Sequence, residues 1–270
     1  MPKSILVHAD ASSATQQRID DALALARRHN GHVTALFNLP MQRFISTDPF
    51  GGTYLAAEAL AKAQADLLDG QSRLAERLGR DDVPWDIVTS EGDLAASLAS
   101  AAALADLVVV GMTAADKGKF DANPLLAGDV AIAAHVPVLA LPEDGHGFDL
   151  DGPAIIAWNG SAEAAAAIRR STAFLRGRSV TLLRIEQAEG QFADMAALAY
   201  LARHGIAAES RTETRGVETV EEVIERVAAE MGAALIVMGA FGHSRFRQTL
   251  FGGVTRYMLN SARVPLLLSH

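Results

Sequence analysis

Residues Ser4–His29 read SILVHADASSATQQRIDDALALARRH, and residues Ala154–Arg178 read AIIAWNGSAEAAAAIRRSTAFLRGR. Each opens on a short apolar run, passes Asp10 or Asn159 with a serine close behind, and continues with apolar residues at helical spacing. A run of that length followed by a helical period is a strand leading into an amphipathic helix. Its return 149 positions later, from Asp10 to Asn159, makes the chain a repeat.

The rest of the chain extends the match. LADLVVVGM (Leu104–Met112) aligns with GAALIVMGA (Gly232–Ala240), which sets Gly111 against Gly239 at an offset of 128. HVPVLALP (His135–Pro142) aligns with RVPLLLSH (Arg263–His270) at the same offset, Pro137 against Pro265. HVTALF and SVTLLR still match at 147, Val33 against Val180, so the surplus in the first half follows Phe37. It lies in NLPMQRFISTDPFGGTYLAAEAL, an insertion over about 38–56 whose Pro, Gly and Asp content predicts a loop before a longer helix.

Each half then alternates five strands with four helices. In the second half the strands are expected near 154–158, 179–185, 207–212, 234–238 and 264–268, and the helices near 162–175, 192–204, 219–231 and 253–261. Nearly continuous apolar strands between helices predict a parallel sheet covered on both faces. The expected fold class is α/β. Two tandem doubly wound domains, residues 1–142 and 153–270, are joined by LPEDGHGFDLDGP. Each is expected to be a five-stranded parallel sheet of the Rossmann-like kind, with helices on both faces. Such sheets bind ligands outside the carboxyl ends of the strands, where strand order reverses. Asn159 and Gly239 are expected to face each other there.

Composition removes several functions. A formal charge of −8 with only four lysines opposes a nucleic-acid surface. The absence of cysteine removes disulfides, thiolate chemistry and cysteine metal sites. The low-charge stretch Leu94–Ala105 is bounded by Asp93 and Asp106 and is too short to cross a bilayer. The first strand begins almost at once, leaving no room for a signal peptide. A cytoplasmic protein with neither nucleic acid nor membrane as partner is expected.

The segment GAFGHSRFRQTLFGGVTRYML (Gly239–Leu259) carries the candidate chemistry. It places Gly239, two residues, Gly242, nine residues, then Gly252 and Gly253, directly after the strand that ends in Met238. Glycine permits a sharp turn or close ligand approach, and a helix beginning at Gly253 offers unpaired N–H groups and a positive dipole end to a phosphate. A pair of tight turns accounts for the same glycines. Neither G-x-x-x-x-G-K-[ST] nor G-x-G-x-x-G is present. Asp10, Asn159 and Ser161 also suit helix caps, His243, Arg245 and Arg247 suit a solvated loop, and Trp158 suits the core.

With these residues in view, the chain resembles the tandem universal stress proteins along essentially its whole length. Nucleotide-binding members of that family share G-x2-G-x9-G-[S/T] after the fourth strand and an Asp ending the first. The resemblance implies that Gly239, Gly242 and Gly252 match the three glycines, and that amides of His243, Gly253 and Val254 hold phosphates. Met238, Ser161 and Arg245 complete the implied contact set. Gly253 stands where the family has Ser or Thr, with Thr255 two residues on as a partial substitute, and Asn159 stands where it has Asp. The first half keeps Asp10, Ser12 and Gly111, but Ala114, Pro124 and Leu125 fall where the phosphate loop needs Gly242, Gly252 and Gly253.

The same resemblance implies ATP, with Mg²⁺, in the second domain of a stress-response regulator or sensor. It also implies an unknown protein partner, pairing of the halves through Val136–Leu141 and Val264–Leu268, and a homodimer beyond that. No G-x-S-x-G or H-E-x-x-H is present, so no enzyme is expected beyond incidental slow ATP hydrolysis, and no protein metal site. Two alternatives stand beside this. One is a nucleotide-free scaffold using Pro40–Tyr54 for recognition; the other is a nucleotide-using enzyme on the same fold.

Overall fold

The apolar runs become strands and the amphipathic stretches become the helices between them. The computed structural model describes residues 2–47, 53–112, 125–143, 147–185, 193–240 and 253–270. They form two compact units, Met1–Val109 and Val110–His270.

The first unit runs β1 (Ser4–Ala9), α1 (Ala14–His29), β2 (His32–Leu39), β3 (Ile45–Thr47), β4 (Thr53–Leu55), α2 (Ala57–Leu78), β5 (Trp85–Glu91), α3 (Leu94–Ala101) and the start of β6 (Leu107–Met112). Its sheet order is β6-β1-β2-β5, all parallel. Ile5, Val7, Val33, Ala35 and Val108 are fully buried, as strands covered on both faces require. Asp93 ends the preceding turn and accepts from Ala96 N at 2.8 Å, a side-chain cap that fixes where α3 starts.

The insertion departs from the expected loop. β2 continues through Leu39, a single 3-10 turn covers Met41–Phe44, and β3 pairs antiparallel with β4, Ile45 opposite Leu55. The chain then enters α2, 22 residues long. Pro40 explains the break, since its ring removes a ladder donor at the strand end.

The second unit takes the end of β6 and continues with α4 (Leu126–Ala133), β7 (Val138–Pro142), β8 (Ala154–Trp158), α5 (Ala162–Leu175), β9 (Val180–Ile185), α6 (Asp194–Arg203), β10 (Ala208–Glu213), α7 (Val220–Met231), β11 (Leu235–Gly239), α8 (Gly253–Ser261) and β12 (Leu266–Ser269). β10-β9-β8-β11-β12 are parallel neighbours. β7 adds to the same sheet antiparallel, with Leu266 opposite Ala140 and Leu268 opposite Val138. The last strands of the two repeats therefore pair with each other. Val138, Leu139 and Ala140 are fully buried in that position.

Helix α7 shows why the sequence breaks where it does. Thr219 accepts from Glu222 N at 3.3 Å while Glu222 accepts from Thr219 N at 2.7 Å, a reciprocal capping box. Gly232, at φ +57°, closes the other end in the left-handed region. Val223, Ile224 and Val227 between them fill the core.

Candidate functional site

In the second unit the carboxyl ends of β9, β8, β11 and β12 lie in a row. Arg184 is beside Trp158, Met238 is beside Ala157, and Gly239 is beside Ser269. From β8 the strands proceed outward through β9 to β10, then return to β11 on the other side of β8. Strand order therefore reverses between β8 and β11, and Asn159 and Gly239 flank the reversal. That is where open α/β sheets leave a crevice. Helix α5 starts from this rim, three residues after Asn159, and α8 follows β11 in the chain.

Asn159 is exposed, and its Oδ1 accepts from Ser161 N at 3.0 Å. Gly160 turns the chain at φ +71°, and buried Ser161 caps α5 by accepting from Ala164 N at 3.1 Å. A Cβ on Gly239 would lie 2.7 Å from the carbonyl carbon of Glu163 and 2.8 Å from Ala164 N. The missing side chain there lets β11 press against the first turn of α5. Helix packing alone thus accounts for Gly239.

Gly253 is the first residue of α8 and is exposed, with no described residue within 4 Å of where a Cβ would stand. A hydroxyl placed there would meet no described residue. Val254 is half-buried, and Thr255 is 4% exposed on the inward face of the helix. Met238 is buried in β11. Gly242, His243, Arg245 and Gly252 fall within 241–252, outside the described residues.

One element beside this rim is not evident from local sequence patterns. Asp194, in the first turn of α6, accepts from Trp158 Nε1 at 2.9 Å and from Arg184 Nε at 2.6 Å. Trp158 is buried, as expected of a core residue, but its indole N–H ties α6 to the strand ends. The available signal is Arg184, the one charged residue of β9.

The matching corner of the first unit is spent on internal contacts. Asp10 Oδ1 accepts from Ser12 N at 2.9 Å, Ser12 Oγ at 2.5 Å and Thr15 Oγ1 at 2.6 Å. Its Oδ2 pairs with Arg18 Nη2 at 3.0 Å. Arg18, 2% exposed, also donates to His8 O at 3.1 Å and to Thr15 Oγ1 at 2.8 Å. Burial alone would raise the Asp10 carboxyl; the Arg18 guanidinium and the Ser12 and Thr15 hydroxyls outweigh it and hold it well below the usual carboxylate range. Burial, with Arg18 adding to it, pushes His8 down to about 4 against the opposing pull of Asp10.

Asp10 is not the cap of α1 that its position suggests. The residue before the helix is Ser13, which makes no side-chain cap bond, and Asp10 reaches Thr15 and Arg18 instead. Arg18 is hard to single out in the sequence because it shares the helical stripe of Thr15, Ile19 and Ala22, where a buried cation is unexpected. Gly111 is buried within β6 rather than at its exit. Among the described residues, no group of three or more His, Asp or Glu is placed to hold a metal ion, and no helix is long and apolar enough to cross a membrane.

A repeated, mainly parallel sheet with a strand-order reversal and helix starts at its rim defines a tandem Rossmann-like α/β protein. Universal stress protein family sequences match residues 1–142 and 170–270, and the chain belongs to that family as a tandem-domain member. Among solved structures it is similar to a universal stress protein from Archaeoglobus fulgidus, with a TM-score of 0.76 and 15% identity over 98% of this chain and 97% of that one. It is also similar to a functionally unknown protein from Pseudomonas aeruginosa, with a TM-score of 0.61 and 15% identity over 99% and 92%. No curated protein matches. At such identity the structural likeness concerns the fold.

Proposed function

We propose that the second unit binds an adenine nucleotide, ATP with Mg²⁺, and that the protein is a non-catalytic, nucleotide-gated regulator of a stress response. The observation that carries this reading is the strand-order reversal flanked by Asn159 and Gly239, followed in the chain by α8, whose first residue Gly253 has no described residue within 4 Å of its Cβ position. A helix start with room around it and unpaired amides suits a phosphate. Asn159 fits the nucleoside end, since an exposed amide both donates and accepts. The glycine spacing of the family extends the same cradle through Gly242 and Gly252. Binding there would favour one arrangement of the rim over others, and so alter a surface presented to a protein partner or a second copy in the cytoplasm.

The first unit is assigned no nucleotide, because Asp10 is already held by Arg18. The test is to denature protein purified without added nucleotide and identify released small molecules by mass spectrometry. Near-stoichiometric ATP supports the reading. Protein that releases none and takes none up from millimolar Mg·ATP overturns it.

A second reading, an interaction scaffold without nucleotide, draws on Asn159, Ser161 and Gly239 all having structural work at α5. It is distinguished by that same negative outcome.

A further inference from the structure

The first unit has a groove of about 690 Å³ on the sheet face that α3 covers. Registers place its floor and one wall on that face: Leu6 lies opposite Thr34, and Leu36 lies opposite Val88 of the edge strand β5. The other wall is α3, whose groove-lining residues Ala96, Ser97 and Ala101 are small. The wall is built rather than loose. Asn38 accepts from Ser90 Oγ at 2.8 Å and from Ser97 Oγ at 3.3 Å, and donates to Gly92 O at 3.0 Å, which ties helix, edge strand and sheet together.

The repeat supplies an internal comparison. Trp85 pairs with Val33 and Ala208 pairs with Val180, so Val88 corresponds to Arg211 and Ser90 to Glu213. In the second unit Arg211 reaches Glu230 of α7 at 2.7 Å, and Arg226 of α7 reaches Glu213 at 3.2 Å. Charged side chains bridge helix and edge strand there. In the first unit Val88, Ser90 and Ala96 stand at this wall, and among the described lining residues no ion pair spans helix and edge strand.

The two ends of the groove differ. Helix α3 and the 3-10 turn that follows it, Ala102–Leu104, run back along the strands from Asp93 at their carboxyl ends to Leu104 at their amino ends, roughly 18 Å at 1.5 Å per α-helical and about 2 Å per 3-10 residue. Glu91 and Asp93 stand at the first end. Leu104, 92% exposed, stands at the other, and Val88 between them is 38% exposed. No Lys, Arg or His is among the described residues that line the groove. Two carboxylates without a cation disfavour nucleotides, phosphates and fatty carboxylates, and favour a positive head group.

We propose that this groove binds a small amphipathic cation, an alkylammonium or arylalkylammonium. Its head group lies at Glu91 and Asp93, and its apolar body lies over Leu36 and Val88 toward Leu104. A cavity of this size with an apolar floor and a few fixed polar groups is the usual form of a small-molecule site. The assignment is independent of nucleotide binding in the second unit.

The test titrates the full chain with 3-phenylpropylammonium and with 3-phenylpropionate, two probes that differ in the sign of the head group. Binding is read by calorimetry and by leucine and valine methyl resonances. The expected result is saturable binding of one ammonium per chain, at least tenfold tighter than the carboxylate, with Leu104 and Val88 methyls shifting. Glu91→Gln should weaken the ammonium at least threefold, and Ser97→Phe should abolish binding by filling the groove. Leu104→Ser keeps the test decisive should Ser97→Phe unfold, because an exposed residue can change without disturbing the core; it should weaken binding severalfold. No saturation by millimolar ammonium, equal affinity for the two probes, or binding indifferent to both Glu91→Gln and Leu104→Ser overturns the proposal.

Discussion

Replacing Arg18 by Met tests the reading of the first unit most sharply. Methionine keeps much of the volume and the unbranched stem, but it removes the ion pair to Asp10 at 3.0 Å and the donations to His8 O and Thr15 Oγ1. Breaking a buried pair costs about 3–5 kcal/mol when the remaining charge stays buried. The Asp10 side chain is 40% exposed and keeps its Ser12 and Thr15 donors, so water recovers part of that loss. The expected cost is about 2 kcal/mol. With a urea slope of about 2 kcal/mol/M for a domain of this size, the unfolding midpoint at pH 7 should fall by about 1 M. Circular dichroism across a urea series measures it. The same series on Asp10→Asn and the double variant should give a coupling of at least about 1 kcal/mol. A depressed carboxylate contributes stability above its ordinary pKa and loses it as pH falls, so Arg18→Met should also lose less below pH 4 than the parent does. A midpoint unchanged within about 0.2 M, or strictly additive variants, would refute the reasoning.

Other expectations rest on single contacts. His8, pushed from 6.5 to about 4, is neutral in the fold; its contribution is complete above pH 6.5 and is lost as pH falls toward 4, by at most about 3 kcal/mol. His8→Gln should flatten urea midpoints between pH 7 and pH 4 relative to the parent, and an identical pH slope would contradict this. Gly239→Ala drives a Cβ to 2.7 Å from the Glu163 backbone, so a loss of about 1–3 kcal/mol in thermal or urea unfolding is expected. Gly253→Ser meets no described residue and should leave the fold intact. If the hydroxyl reaches a phosphate, it should tighten Mg·ATP by about tenfold or more, the equivalent of a charge-assisted hydrogen bond of about 1.5–3 kcal/mol, measured by calorimetry.

The repeat and the strand–helix alternation are legible directly in the chain. Buried parallel strands such as Leu107–Val110 are apolar on both faces, which makes them readable as covered strands. Helix α8 starts at the residue where the glycines end, and Ser161 caps α5 as its type suggests. Long-range pairing is harder to read. Arg18 belongs to an apolar stripe, and only the position of β1 against α1 shows that it meets Asp10 and His8. Trp158 and Asp194 lie 36 residues apart and meet through the arrangement of β8 and α6, which no local pattern encodes. The role of Gly239 is ambiguous in sequence for the same reason: a bare backbone position reads alike whether a ligand or a helix approaches it. The insertion misleads because Pro40 and the polar residues after it signal a break, while β3 and β4 are only three residues each.

The central claim is that one of the two repeats, the second, holds a nucleotide. The most direct measurement is a calorimetric titration of the intact chain with Mg·ATP, with the number of sites left free in the fit. Saturation below millimolar concentration at one nucleotide per chain is expected, unchanged in Asp10→Asn and lost when Asn159 is replaced by Leu. Two nucleotides per chain, or no saturation in the millimolar range, would contradict it.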